Sequence, residues 1–146
     1  MRMRYFWIIL NSIAVLLALR GGYASLTPDK LRHTNPEPLL CLLVLLGMPV
    51  FAILSVGYSL RRSKTALLPR LSWTRNPFNW WGDPLQSLFM STCIMAATAI
   101  GSAIQRPVFG SVGFWTLGVY CCFTIGLLVG QVLVYRIFRQ RIAPIT

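Results

Sequence analysis

Leu39–Leu60 reads LLCLLVLLGMPVFAILSVGYSL, with no charged residue anywhere in it. At about 1.5 Å of rise per residue, a helix of that length reaches roughly 33 Å, enough to cross the hydrocarbon core of a bilayer. Its apolar residues form a block and do not recur at the spacing of an amphipathic helix or strand, so the stretch calls for lipid around it and not for one side of a soluble core.

Two similar blocks lie downstream. Leu85–Ile104 is uncharged throughout, and so is Val112–Tyr135, which sits between Arg106 and Arg136. The N-terminal block is shorter. Tyr5–Leu19 carries Asn11 in its middle and meets Arg20 at its far end. In one reading the helix continues to Leu26, with Arg20 reaching toward the head groups and Tyr5 and Trp7 as interfacial anchors. In the other, the basic start Met1–Arg4, the apolar Tyr5–Leu19 and a small-x-small Gly22-Tyr23-Ala24 before Ser25 form a cleaved leader. Arg20-Gly21-Gly22 is an unusual insertion for a leader, which favours the retained helix. The expected fold is therefore all-α: one transmembrane domain over residues 1–146, with spans at about 5–26, 39–60, 85–104 and 112–135, or the last three alone if the first segment is removed.

Composition agrees, since 55% of the 146 residues are hydrophobic and 12% are charged. Under the four-span reading, Arg2, Arg4, Arg61, Arg62, Lys64, Arg70, Arg75, Arg136, Arg139 and Arg141 share one side, and Arg20, Lys30, Arg32 and Arg106 the other. Cations concentrate on the cytoplasmic side of membrane proteins, so both termini and the loop over residues 61–84 are expected there, in a cell membrane of the bacterial inner-membrane kind. The net charge of +11 lies beside spans and does not build one basic face, so anionic lipid head groups are the expected partner and nucleic acid is not. The inner loop interleaves its cations with Leu67, Leu68, Leu71, Trp73, Phe78, Trp80 and Trp81, a mixture suited to the head-group layer. Arg70, Trp73, Arg75, Trp80 and Trp81 are its candidate contacts for lipid or a partner protein.

Between helices in lipid, close approach at small residues takes over the role that burial from water plays elsewhere. The third span collects Ala96, Ala97, Thr98, Ala99, Gly101, Ser102 and Ala103 near its outer end, which at equal depth pairs it with Gly113 and Gly118 of the fourth. Gly126 and Gly130 form a GxxxG pair suited to a neighbouring helix of the same chain or to a second copy. Ala97, Gly101, Gly118, Gly126 and Gly130 are the candidate packing residues. Pro49 removes a backbone donor in mid-span and deprives the Leu45 carbonyl of its helical partner, which predicts a kink.

The chemistry points away from catalysis. Cys41, Cys93, Cys121 and Cys122 fall within spans, lack CxxC spacing and have no histidine beside them, so they read as small apolar residues. Asp29, Glu37 and Asp83 are the acidic residues, all outside the hydrocarbon, which argues against proton-coupled transport and against intramembrane proteolysis by paired aspartates. Asp29, His33 and Glu37 recur every four residues after Thr27-Pro28, but Pro36 and Pro38 interrupt the helix that would unite them into a metal or acid–base site. Asp83-Pro84 reads as a helix cap followed by a first-turn proline. No cofactor is expected. The leading expectation is an accessory or scaffold-type membrane protein acting through helix packing and its basic aromatic loop, with another membrane protein or itself as a further partner. The alternative is a small oligomeric carrier or channel subunit lined by Asn11 and Gln131 near the Pro49 kink.

Overall fold

A computed structural model describes residues 2–25, 38–62, 71–79, 83–109 and 112–141, with side chains left aside for residues 2, 25, 105–109 and 112–116. Four helices account for most of this: α1 (Arg2–Ser25), α2 (Pro38–Arg62), α3 (Pro84–Phe109) and α4 (Val112–Ile137), followed by a short 3-10 turn at Arg139–Arg141. No strand occurs among the described residues. Each helix contains a stretch long and apolar enough to cross a membrane. The chain is an all-α, multi-pass membrane protein in architecture. Asp29, His33 and Glu37 lie outside the described residues.

The helices extend past the uncharged blocks because helix propensity does not stop where hydrophobicity does. α2 takes in Arg61 and Arg62, and α4 takes in Arg136, cations that complement the negative end of the helix dipole in the last turn. α2 also passes through Pro49 as a single helix.

Contact order in space differs from order in sequence. α3 packs along α1 on one flank and α4 on another, α4 packs along α2, and α2 touches α3 only slightly. Burial follows from this: 44% of α3's membrane-length window is buried, against 11% for α1 and 17% for α2. Leucines such as Leu42, Leu43, Leu46 and Leu54 of α2 are largely exposed, which water would penalise and acyl chains accommodate.

Helix directions can be read from the contacts. Asn11, early in α1, meets the segment just before α3, and Gly22, late in α1, meets Thr98 and Ser102 late in α3, so these two run parallel. Cys41, Met48 and Ala52 of α2 meet Gly118, Gly126 and Gly130 of α4 in the same order, a second parallel pair. Gln131, late in α4, bonds to Leu88 and Thr92, early in α3, making that pair antiparallel. This is an alternating up-and-down bundle, with α1 beginning and α4 ending at one common end.

At that end the apolar core gathers: Ala52 and Val56 of α2, Leu85 and Leu88 of α3, and Leu127 and Val134 of α4. Leu71 and Phe138 close over it from the connecting segments.

Candidate functional site at the basic end

Asp83 sets the start of α3. Its carboxylate Oδ1 accepts the Gln86 backbone N–H at 3.3 Å, and Pro84 takes the first helical position, where a missing donor does no harm. The other carboxylate oxygen, Oδ2, meets the Arg75 guanidinium at 3.3 Å. Burial pushes the Asp83 pKa above its ordinary value, and the Gln86 N–H and the Arg75 charge pull against that shift.

Residues 71–79 do not lie flat on the bundle; they are tied into it. The Asn11 side chain uses both amide hydrogens, donating to the carbonyls of Trp73 at 2.8 Å and Arg75 at 3.2 Å. Trp73 Nε1 donates to Ser12 Oγ at 3.2 Å, and Ser12 passes its own hydrogen to the Ile8 carbonyl. From the other side Gln86 Oε1 accepts the Ser72 N–H at 3.0 Å. The Trp73 ring meets Phe89 edge to face, with centroids 6.3 Å apart. Local turns shape the segment between these anchors: Arg75 N–H donates to the Ser72 carbonyl, and Asn76 Oδ1 accepts the Phe78 N–H. Pro77 is buried and Phe78 exposed.

Asn11 lies well past the second turn of α1, counted from Arg2, so Trp73 and Arg75 offer their carbonyls well inside the length of the bundle. The sequence suggests a segment suited to the head-group layer; the structure shows its backbone and Trp73 hydrogen-bonded to α1 and α3. The reason is that Asn11 and Gln86 are amides on lipid-facing helices and need partners, while the loop carries backbone groups with the same need. Asn11 Oδ1 and Gln86 Nε2 keep one unmatched hydrogen-bonding atom each among the described residues.

Of the candidate contact residues, Trp73 is half-buried against α1 and α3, and Arg75 is half-exposed with its head on Asp83. Arg70, Trp80 and Trp81 lie outside the described residues. Arg61, Arg62, Arg136, Arg139 and Arg141 are exposed at the same end of the bundle.

The candidate packing residues separate into two seams. Gly22 and Gly101 form the α1–α3 crossing. A Cβ on Gly22 would overlap the Thr98 carbonyl, and one on Gly101 would overlap the Leu19 carbonyl. Ser102 Oγ donates to the Gly22 carbonyl at 3.0 Å across the same point. Gly101 thus packs against α1, not against the fourth helix with which its depth pairs it; Ala97 is buried on α3. Gly118, Gly126 and Gly130 face α2. A Cβ on Gly126 would sit 2.9 Å from Met48 Cβ and one on Gly130 2.7 Å from Ala52 Cβ, while Gly118 lies near Cys41 Sγ. The Leu45 carbonyl, which Pro49 cannot satisfy, lies 3.2 Å from the Cβ position of Gly126, so a glycine Cα–H faces it. Cys122 belongs to this stripe: 118, 122, 126 and 130 recur every fourth residue, a spacing that extends the GxxxG pair by two turns toward the start of α4.

Gln131 donates to the Leu88 carbonyl at 3.1 Å and to the Thr92 hydroxyl. Among the described residues no group of three or more His, Cys, Asp or Glu side chains is arranged to hold a metal ion. Compared with family models, with curated proteins and with solved structures, the chain finds no match in any of the three.

Proposed function

We propose that this is an accessory or scaffold-type component of a bacterial inner membrane, with both termini cytoplasmic, which works by presenting its basic end to anionic head groups and to a membrane-protein partner. The observation that carries the reading is the anchoring of residues 71–79 by Asn11 and Gln86. It turns a connecting loop into a fixed platform on the bundle. Arg75, ion-paired with Asp83, sits on that platform, and Arg61, Arg62, Arg136, Arg139 and Arg141 are exposed at the same end, which supports a basic surface suited to anionic head groups. The excess of cations on this side is also what supports its cytoplasmic orientation.

The alternative, a carrier or channel subunit, has the Pro49 region with its glycine-lined partner helix in its favour. Against it, the two amides suited to lining a path are engaged elsewhere: Asn11 holds the loop and Gln131 holds α3. The test is purification from native membranes in mild detergent. A partner should accompany the wild-type chain and be lost when Trp80 and Trp81 become Ala. Solute flux through liposomes containing this chain alone, with no partner retained, would overturn the reading in favour of the carrier.

A further inference from the structure

At the other end of the α2–α4 seam two thiols come together. Cys41 lies less than one turn into α2 from Pro38, and therefore near the helix end and the aqueous phase. Its Sγ is 3.9 Å from the Cβ position of Gly118. Cys122 is one turn further along the same stripe of α4 and so also faces α2, near enough to Cys41 for the two thiols to interact. Cys121 is turned by about 100° around α4 away from that stripe. Cys93 belongs to α3.

We propose that Cys41 and Cys122 are a thiol–disulfide exchange site, able to join α2 to α4 covalently at the end opposite Arg61, Arg62, Arg136, Arg139 and Arg141. Bridging requires Cβ atoms about 3.5–4.5 Å apart, a separation that the glycine-lined crossing favours by bringing the two backbones close. The co-reactant is a small disulfide. The thiolate of one cysteine attacks it and expels one thiolate, leaving a mixed disulfide on the protein. The second cysteine then attacks the protein sulfur of that mixed disulfide, forms the Cys41–Cys122 bond and releases the second small thiol. Two protons and two electrons leave the protein pair, and the small disulfide is reduced to two thiols. Position near the helix end matters here, because a thiolate forms more readily at the interface than in the hydrocarbon.

The experiment uses the full chain in native membranes, treated with oxidised glutathione or with dithiothreitol, then denatured in SDS and labelled with a polyethylene-glycol maleimide. The reduced protein should take four labels, one per cysteine, and the oxidised protein two. Intact mass should fall by two hydrogens without retained glutathione. Cys41→Ala and Cys122→Ala should each take three labels under both conditions. The Cys93→Ala/Cys121→Ala double variant, which keeps only the proposed pair, should go from two labels to none, so the site is tested even if one of the single variants folds poorly. Four labels after oxidation, a stable glutathione adduct, a covalent dimer, or label loss that persists in Cys122→Ala would each overturn the proposal.

Discussion

Gly22 and Gly101 touch a neighbouring backbone where any side chain would have to sit, so alanine is already too large at either position. Overpacking of this kind costs about 1–3 kcal/mol, and here the obstructing atoms are carbonyls that cannot swing aside. Gly22→Ala and Gly101→Ala should therefore each loosen α1 from α3, seen as a lower unfolding midpoint in detergent. Gly21→Ala is the control, because nothing lies within 4 Å of its Cβ position. Exchanging a glycine for alanine there, within the helix but close to its end, should stabilise by at most about 0.5–1 kcal/mol. Asp83 gives a pH signature. Burial raises its pKa in the folded state, so folding favours the protonated form. Its contribution to stability should grow as pH falls from neutral through the folded-state value toward about 4, the unfolded one, and level off below. Because only three carboxylates exist among the side chains, that increment should be visible in an acid series of unfolding midpoints and missing in Asp83→Asn, which keeps a capping side chain.

Among the elements, the segment 71–79 and the α2–α4 seam answer to different substitutions. Asn11→Leu removes both donors from the Trp73 and Arg75 carbonyls, at about 1–3 kcal/mol for buried acceptors left unmet. The expected result is a bundle that survives with its loop released, measured as faster proteolysis at Arg75 and unchanged helix content. Gly126→Leu with Gly130→Leu should force α4 off Met48, Pro49 and Ala52, lowering the amount of folded protein without altering crosslinks between copies, because the contact is made within one chain. Gly47→Ala on α2, with nothing within 4 Å, should be tolerated. The helices themselves were legible from the uncharged blocks, since length and absence of charge are sufficient to demand a spanning helix. The Asp83 cap was legible for a similar reason, as its signal is local. What could not be read was the partner of each small residue: depth places Gly101 beside α4 as well as beside α1, and only three-dimensional packing chooses between them. The anchoring of Trp73 and Arg75 was hidden for the same reason. It depends on Asn11, more than sixty residues away in sequence.

For the molecule as a whole, the pairing of alternate helices makes a prediction about its halves. α1 and α2 have their main contacts with α3 and α4 and not with each other. A chain divided between Arg62 and Leu71 should give an N-terminal half that accumulates only when the C-terminal half is made in the same cell, whereas the latter retains the α3–α4 contact on its own; immunoblots of the two halves expressed singly and together would report this. The same topology bears on synthesis. While the ribosome is still making the second helix, the first has already entered the bilayer with its asparagine turned toward acyl chains and its glycine notch unfilled. Residues 71–79, which meet the asparagine, and α3, which fills the notch, appear only after the second helix has been completed. Until the second half of the chain arrives, α1 therefore carries one amide and one notch that no later helix has yet met.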